Sequence, residues 1–242
     1  MTNKIIGIQG DKLDKINISS DTSIFLAHEA QKLGYKIFHY TPSNLSIIKN
    51  KTYANGVFVK LNYERKKFYK KYKKQKIDVE NLKFILIRQD PPFNSEYLIT
   101  TLILDDLKKT RVINNPVAIR NVSEKLYSKK FTKYMPDTIF SNNIEEVKKF
   151  YKQNKSIIMK PINGYGGNQI HLIKNKFNKK LITNFLRKNG HSMFQKFLKN
   201  ISKGDKRVFI INGKVCGAIS RIPKKGSYLS NMSKGAVPKL TS

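Results

Sequence analysis

The sequence has little of what several enzyme classes require. It contains one cysteine, Cys216, so no disulfide can form within the chain and a multi-cysteine metal site is excluded. No HExxH, GxSxG or other metal or nucleophile spacing occurs around the four histidines, His28, His39, His171 and His191. Metalloproteases, serine hydrolases and zinc modules are therefore excluded.

Long apolar runs are also missing, and the opening MTNKIIGIQG shows no signal-peptide pattern. Hydrophobic residues make up 39% of the sequence and aromatic residues 11%, which is typical of a folded chain. A length of 242 residues allows one large domain or two small ones. We therefore expect a folded cytoplasmic protein without a membrane partner.

Arginine is scarce although the chain is strongly basic. Seven of the 48 basic residues are arginines, and the formal net charge is +32. This charge raises the alternative of a nucleic-acid-binding protein. Arginine is the preferred residue for bidentate phosphate and base recognition, so the abundant lysine indicates a compositional bias and we expect no nucleic-acid partner. The densest basic segment, Arg65 to Lys76, is interpreted as a solvated amphipathic helix or loop, because Phe68 and Tyr72 are four residues apart.

The first half shows the pattern of an α/β domain. Apolar strands are predicted at 4–9 and 36–40, with a helix over 22–33 between them that Ser19, Ser20 or Asp21 can cap. A strand–helix–strand order forms a right-handed parallel unit. No GxGxxG joins the first strand to its helix, so a dinucleotide site is excluded here. Further strands are predicted at 53–61, 84–87 and 111–114, and helices at 96–109 and 116–122.

A candidate binding segment, Arg88-Gln89-Asp90-Pro91-Pro92-Phe93, follows the buried strand at 84–87. Ligands in open α/β sheets bind outside the carboxyl ends of strands, and arginine can hold a carboxylate in a bidentate fork. Arg88 is therefore a candidate carboxylate ligand. The alternative is a surface loop stiffened by two prolines.

The stretch from Ile157 to Ile173 combines an apolar strand, a lysine and a glycine cluster. The strand ends at Lys160-Pro161, the segment Gly164-Tyr165-Gly166-Gly167 follows, and an alternating pattern then predicts a second strand. There is no G-K-[ST] ending and no following helix, so loop N–H groups would have to bind phosphates beside the Lys160 charge. The alternative is an ordinary glycine-containing hairpin.

The second half continues with a helix predicted from Glu124 and capped by Ser123, a helix at 144–153 and a helix at 179–189. The run 192–198 resembles an edge strand whose backbone could bind an adenine. Cys216 lies in an apolar strand pattern, where burial is usual. The segment 223–242 has no clear pattern and is interpreted as a mobile loop.

Asn212-Gly213 predicts a hairpin between strands at 206–211 and 214–222. In a regular hairpin Arg207 pairs with Ala218, so Arg221 points to the opposite face. If both arginines serve one site, the ladder must contain an irregularity, near Gly217 or at the entry of the first strand. We predict such an irregularity.

Taken together, five segments resemble bacterial glutathione synthetases, members of the ATP-grasp superfamily, in order and spacing. They are Arg88 to Phe93, Asn121 to Leu126, Met159 to Gly167, Gly204 to Arg207 and Ser220 to Pro223. The R-x-D-P-P-F signature is distinctive for that family, and the resemblance covers essentially the whole chain. It implies an N-terminal parallel-sheet α/β substrate domain over 1–122, followed by an incomplete ATP-grasp domain over 123–242.

The resemblance also implies an activity, the ATP-dependent joining of γ-glutamylcysteine and glycine to glutathione through an acyl phosphate. Such a reaction needs positioning and charge neutralisation more than a nucleophilic side chain. The implied ATP-binding residues are Lys125, Lys160, Gly164, Tyr165, Gly166 and Gly167, with Gln195, Lys196, Phe197 and Leu198 at the adenine. The implied substrate-binding residues are Arg88, Asp90, Arg207 and Arg221, and the last two are also candidate catalytic residues that bind the transferring phosphoryl group.

Two departures from the family pattern bear on these expectations. The family's Mg²⁺ ligands follow the mobile loop and are expected beyond residue 242, so no metal ligand is assigned in this chain, which is expected to be truncated at its C-terminus and nearly inactive. Lys234-Gly235-Ala236 stands where the family tends to have an arginine before paired glycines. Alternatives are another ATP-grasp carboxylate-amine ligase, acting on a protein tail or on D-alanine. The sequence is compatible with a homo-oligomer and does not define the oligomeric state.

Overall fold

Two units with separate sheets make up the chain, Met1–Val122 and Ser123–Ser242. The computed structural model describes residues 4–18, 21–62 and 68–240. The candidate caps Ser19 and Ser20, and residues 65–67 of the basic segment, lie outside the described residues. Within the described ranges, no helix is both long and apolar enough to cross a bilayer.

The first unit contains a seven-stranded mixed sheet. Its strands are β1 (Ile5–Gln9), β2 (Lys36–Tyr40), β3 (Leu45–Ile48), β4 (Lys51–Leu61), β5 (Tyr69–Asp78), β6 (Phe84–Ile87) and β7 (Arg111–Ile113). The order is β3-β4-β2-β1-β6-β7, and β5 pairs with β4. Strands β2, β1, β6 and β7 are mutually parallel, as predicted, whereas β3, β4 and β5 add an antiparallel extension.

Helices cover both faces of the parallel part. They are α1 (Thr22–Lys32), α2 (Ser95–Asp105) and α3 (Pro116–Asn121). On one face Ile24 of α1 packs into a buried cluster with Ile6 and Ile37, because odd and even strand positions face opposite ways. On the other face Leu104 of α2 packs with Phe38. Asp21 caps α1, as predicted, by accepting a hydrogen bond from the Ile24 N–H at 2.8 Å.

The basic segment is an edge strand, so the prediction of a helix or loop for it is wrong. Residues 69–78 form β5, whose pairing with β4 begins at Leu61 and Tyr69. Phe68 is buried, and the side chains from Lys70 to Lys76 are exposed. Lysines on an edge strand discourage pairing with a further chain, and long-range pairing with β4 overrides the local helical spacing.

The second unit has a four-stranded antiparallel sheet in the order β10-β9-β11-β8. Its strands and helices are β8 (Thr138–Ser141), α4 (Ile144–Asn154), β9 (Ile157–Pro161), β10 (His171–Ile173), α5 (Lys179–Asn189) and β11 (Ser192–Lys196). Val147 of α4 and Ile182 of α5 pack with Met159 and Phe194 in the core. The predicted α-helix from Glu124 is instead a kinked 3-10 segment, Leu126–Tyr134, without a side-chain cap from Ser123.

A three-stranded antiparallel sheet completes the second unit, with strands β12 (Asp205–Ile211), β13 (Lys214–Ile222) and β14 (Val237–Leu240). The hairpin turn lies at Asn212-Gly213, both at positive φ, as predicted. The expectation of a patternless segment after residue 222 is wrong for β14, which pairs with β13. Its four residues are a short run, so the distant partner strand and not a local pattern defines it.

The predicted irregularity in the hairpin is confirmed. Phe209 pairs with Gly217 and Ile210 pairs with Val215, so Cys216 is an extra residue in β13. Cys216 is exposed, and the expectation of its burial is wrong because both faces of this hairpin are solvent-accessible there.

Candidate functional site

A cavity of about 350 Å³ lies in the second unit. Lys125, Lys160, the glycine loop at 164–167 and Gln195 line it together. Strand β9 delivers Lys160 to the start of the loop, and the neighbouring strand β11 delivers Gln195. The structure therefore brings together most of the sequence-predicted phosphate-binding residues.

Lys160 is an oriented, partly buried ammonium. Its Nζ donates a hydrogen bond to Oε1 of Gln195 at 2.9 Å, and Nε2 of Gln195 donates to Oγ1 of Thr138 at 2.9 Å. Burial lowers the pKa of Lys160, the Lys125 charge lowers it further, and Glu124 acts in the opposite direction. Burial and the Lys125 charge both disfavour the positive charge of Lys160. A bound anion would offset both effects and be attracted by that charge.

Lys125 is held by the glycine loop. Its Nζ donates to the Gly164 carbonyl at 2.5 Å and lies 3.4 Å from both the Ile162 carbonyl and a Glu124 carboxylate oxygen. The side chain is 11% exposed. Lys125 thus fixes the first half of the loop and adds a second positive charge to the same cavity.

Two residues of the glycine loop have backbone conformations that residues other than glycine rarely adopt. Gly166 and Gly167 have φ of 60° and 75°. A Cβ on Gly167 would lie 2.6 Å from Oδ1 of Asn231. The hydroxyl of Ser233 donates to the Gly166 carbonyl at 3.1 Å, and Nζ of Lys234 donates to Oδ1 of Asn168 at 2.7 Å. The segment 231–234 therefore packs on the loop, which no local sequence pattern indicated.

The expected adenine segment is arranged differently from the expectation. Strand β11 pairs with both β9 and β8, so it is an interior strand and the prediction of an edge strand is wrong. The N–H groups of Lys196 and Phe197 bond the carbonyls of Asp137 at 2.8 Å and Ser156 at 3.0 Å. Of the four residues assigned to the adenine, Gln195 lines the cavity, whereas Lys196, Phe197 and Leu198 are not among the described lining residues.

Arg207 and Arg221 share one face of their hairpin. The bulge pairs Arg221 with Asp205, two positions before Arg207, and alternate residues of a strand face the same side. Nε and Nη2 of Arg221 donate to the two carboxylate oxygens of Asp205 at 2.7 and 2.6 Å. Arg207 is exposed. One of the two guanidinium groups is thus held in a bidentate ion pair.

In the first unit, Arg88 leaves β6 and contacts the start of α1. Its Nε donates to Oγ of Ser23 at 3.0 Å and its Nη2 to Oγ1 of Thr22 at 2.7 Å. Both acceptors are neutral, so these bonds orient the guanidinium without neutralising its charge. The Asp90 N–H donates to Oδ2 of Asp11 at 2.9 Å. Burial and then the charges of Asp11 and Asp21 raise the pKa of Asp90.

Across the described residues, no group of three or more His, Cys, Asp or Glu side chains is placed to hold a metal ion.

Family models match both units. The model of the prokaryotic glutathione synthetase N-terminal domain matches residues 5–120, and that of the prokaryotic glutathione synthetase ATP-grasp domain matches residues 124–242. A glutathione synthetase of Mesorhizobium japonicum is 37% identical over 95% of this chain and 75% of its own length. One of Buchnera aphidicola is 36% identical over 98% of this chain and 76% of its own length.

Solved structures share the fold at low identity. A D-cycloserine synthetase matches with a TM-score of 0.64 at 12% identity, over 98% of this chain and 75% of that one. A D-alanyl-alanine synthetase A of Vibrio cholerae matches with a TM-score of 0.60 at 15% identity, over 98% and 74%. These similarities show an α/β fold of the ATP-grasp type. The two family models and the similar sequences show more: the chain belongs to the prokaryotic glutathione synthetase family.

Proposed function

We propose that the protein joins γ-glutamylcysteine to glycine with hydrolysis of ATP, as a cytoplasmic carboxylate-amine ligase. Residues 1–122 serve as the substrate domain and residues 123–242 as the ATP-grasp domain. The family membership supports the reaction. The observation that carries the nucleotide assignment is the convergence of Lys125 and Lys160 on the glycine-loop cavity.

The residues of this cavity fit a polyphosphate. Lys125 and Lys160 both line the cavity. Without a bound polyphosphate, burial and the repulsion between the two lysines destabilise the positive charge of Lys160. Phosphate oxygens supply compensating negative charge and accept charge-assisted hydrogen bonds. The left-handed glycines let loop N–H groups approach a ligand that a Cβ would obstruct. When bound, ATP supplies the phosphoryl group that activates the cysteinyl carboxylate.

Each candidate residue then has a stated task. Lys160 and Lys125 neutralise phosphate charge, and Gln195 orients Lys160 through the 2.9 Å hydrogen bond. Arg88 binds a substrate carboxylate with the hydroxyls of Thr22 and Ser23 fixing its fork.

The hairpin arginines take a second group of tasks. Arg207, which is exposed, binds substrate or the transferring phosphoryl group directly. Arg221 positions this face of the hairpin through Asp205 and reaches a ligand if that ion pair opens. The described residues contain no group of three or more potential metal ligands, so no residue is assigned to Mg²⁺.

The proposal is tested by coupled-assay detection of ADP release from a purified protein in which this sequence is extended by a relative's C-terminal segment, because residues 1–242 alone are expected to be nearly inactive. We expect release only when γ-glutamylcysteine and glycine are both present, with glutathione formed in equal amount. Release with D-alanine alone, or with a glutamate donor and a peptide acceptor, would assign the protein to another carboxylate-amine ligase reaction and overturn the substrate assignment.

A further inference from the structure

A threonine outside the glycine-loop cavity, Thr138, completes a chain of hydrogen bonds that ends at Lys160. Thr138 begins β8 and pairs with Gln195 of β11, and Gln195 in turn accepts a hydrogen bond from Lys160 of β9. The three side chains thus lie on three neighbouring strands of one sheet. Thr138 is not among the described lining residues of the cavity. An effect of Thr138 on a ligand there is therefore indirect, and Gln195 is the side chain between them.

The direction of each hydrogen bond follows from the chemistry of the two ends of this chain. The Lys160 ammonium has three N–H donors and no acceptor, so the Gln195 atom 2.9 Å from Nζ must be the carbonyl oxygen Oε1. At the other end, the hydroxyl of Thr138 lies 2.7 Å from the carbonyl oxygen of Pro136, which only accepts. The single hydroxyl proton is used in that bond. Oγ1 of Thr138 can therefore only accept a hydrogen bond from Gln195.

These directions fix the orientation of the Gln195 amide. Its Nε2 donates to Oγ1 of Thr138 at 2.9 Å, which leaves Oε1 toward the ammonium. Turning the amide over would place Nε2 against Nζ of Lys160, so that two donors face each other. It would also place Oε1 against a hydroxyl oxygen whose proton is already used. Each unmade hydrogen bond costs about 1 kcal/mol, so the turned amide is disfavoured at both of its ends.

The orientation of this amide bears on the charge of Lys160. Burial and the neighbouring Lys125 charge lower the pKa of Lys160, and the Glu124 charge raises it. A carbonyl oxygen aimed at the ammonium stabilises the charged form, whereas an N–H donor in the same place would destabilise it. The bond between Gln195 and Thr138 therefore helps to keep Lys160 charged and oriented.

We propose that Thr138 is a positioning residue of the nucleotide site, whose hydroxyl holds the Gln195 amide in the one orientation that presents an acceptor to Lys160. Lys160 binds a phosphate oxygen, Gln195 orients Lys160, and Thr138 orients Gln195. The inference rests on the proposed assignment of this cavity to the phosphates of ATP. No local sequence pattern marks Thr138, because it meets Gln195 across 57 residues of sequence.

The test is calorimetric titration of the full chain with ATP near pH 7. Thr138→Val keeps the β-branched shape and removes the hydroxyl, whereas Thr138→Ser keeps the hydroxyl. We expect Thr138→Val to weaken ATP binding about three- to tenfold, because one orienting hydrogen bond is lost, and Thr138→Ser to stay within about twofold of wild type. The same change at an exposed threonine of α5, Thr183→Val, is the control and should leave the affinity unchanged.

Two further measurements separate positioning from a structural role. In a Gln195→Met background, Thr138→Val should cause no further loss of affinity, because the amide through which Thr138 acts is gone. The second measurement is the pH dependence of ATP affinity, which falls as the pH rises and Lys160 loses its proton. In Thr138→Val this fall should begin at a lower pH, because the charged form of Lys160 has lost its aligned acceptor. Thr138→Ser should restore the wild-type profile.

Four outcomes would overturn the inference and leave the nucleotide assignment in place, provided that Lys160→Ala weakens ATP binding in the same series. They are wild-type affinity in Thr138→Val, an equal loss in Thr138→Ser, a full further loss in the Gln195→Met background, and an unshifted pH profile. Wild-type affinity in Lys160→Ala would instead contradict the nucleotide assignment, and the inference would fail with it.

Discussion

Lys160 and Gln195 lie on adjacent strands and are joined by a 2.9 Å hydrogen bond from Nζ to Oε1. Strand pairing places Met193 opposite Lys160, so Gln195 reaches the lysine diagonally from two positions along β11. A neutral amide orients the ammonium without satisfying its charge. The lysine therefore remains available to an anionic ligand at the mouth of the glycine loop.

The glycine loop predicts a difference between two glycines that both have positive φ, Gly167 and Gly190. Gly167→Ala forces a Cβ to 2.6 Å from Asn231 Oδ1, whereas Gly190, at φ 64°, has no neighbour within 4 Å. Both substitutions incur backbone strain, and Gly190→Ala incurs no less than Gly167→Ala, because ψ of −141° places Gly190 outside the left-handed helical region. Only Gly167→Ala should also weaken nucleotide binding. Equal nucleotide affinity in the two variants would show that the contact with Asn231 does not shape the site.

Arg88 should act on one substrate only. In a protein that extends this sequence with a relative's C-terminal segment, Arg88→Lys is expected to raise the KM for γ-glutamylcysteine by about tenfold while leaving the KM for ATP nearly unchanged, because lysine cannot reproduce a bidentate fork. Steady-state kinetics with each substrate varied in turn measure the effect. The exposed Arg111, changed in the same way, is the control. A parallel rise in both KM values would remove Arg88 from the substrate site.

Arg221 and Asp205 should be energetically coupled. Their side chains are 12% and 34% exposed and form a bidentate pair, so a double-mutant cycle with Arg221→Gln and Asp205→Asn should give a coupling of about 1 kcal/mol in the free energy of unfolding. A second cycle with Lys206→Gln and Asp205→Asn is the control, because Lys206 is an exposed neighbour of Asp205. A coupling near zero would mean that the pair is not maintained in solution.

His39 predicts a pH dependence of stability. Its pKa is about 4 in the folded state and 6.5 without burial. Below pH 6.5 the His39 side chain binds a proton in the unfolded state but not in the folded state. The free energy of unfolding should therefore fall as the pH drops from 6.5 to 4. The full effect is roughly 3 kcal/mol.

Urea unfolding across this pH window measures the slope. His39→Gln should flatten it, whereas the same change at the exposed His191 should not. An unchanged slope in His39→Gln would show that the pKa of His39 is the same in the folded and unfolded states.

Local patterns predicted the elements whose signals are contained in consecutive residues. Strand β6 and helix α5 begin and end where their apolar spacing placed them, and Asn212-Gly213 turns the hairpin as its φ preference requires. The same holds for the candidate site near Lys160, since β9, the glycine loop and β10 are consecutive.

Features that depend on distant partners were not predictable in this way. Strand β5 has the spacing of a helix and becomes a strand because β4 offers a free edge. Asn231 lies beside Gly167 although more than sixty residues separate them in the sequence, and no local pattern in either segment predicts the contact. The bulge beside Gly217 was anticipated from strand parity together with the family resemblance, which placed both arginines at one site and therefore on one face.

The most direct test of the account is the affinity of ATP for the Lys160 cavity, measured by calorimetric titration of the wild-type chain and of Lys160→Ala and Lys152→Ala. Lys152 is an exposed lysine of α4 and controls for net charge. We expect Lys160→Ala to weaken ATP binding by roughly tenfold or more, with Lys152→Ala close to wild type. Equal affinities in all three proteins would contradict the assignment of this cavity to the nucleotide phosphates.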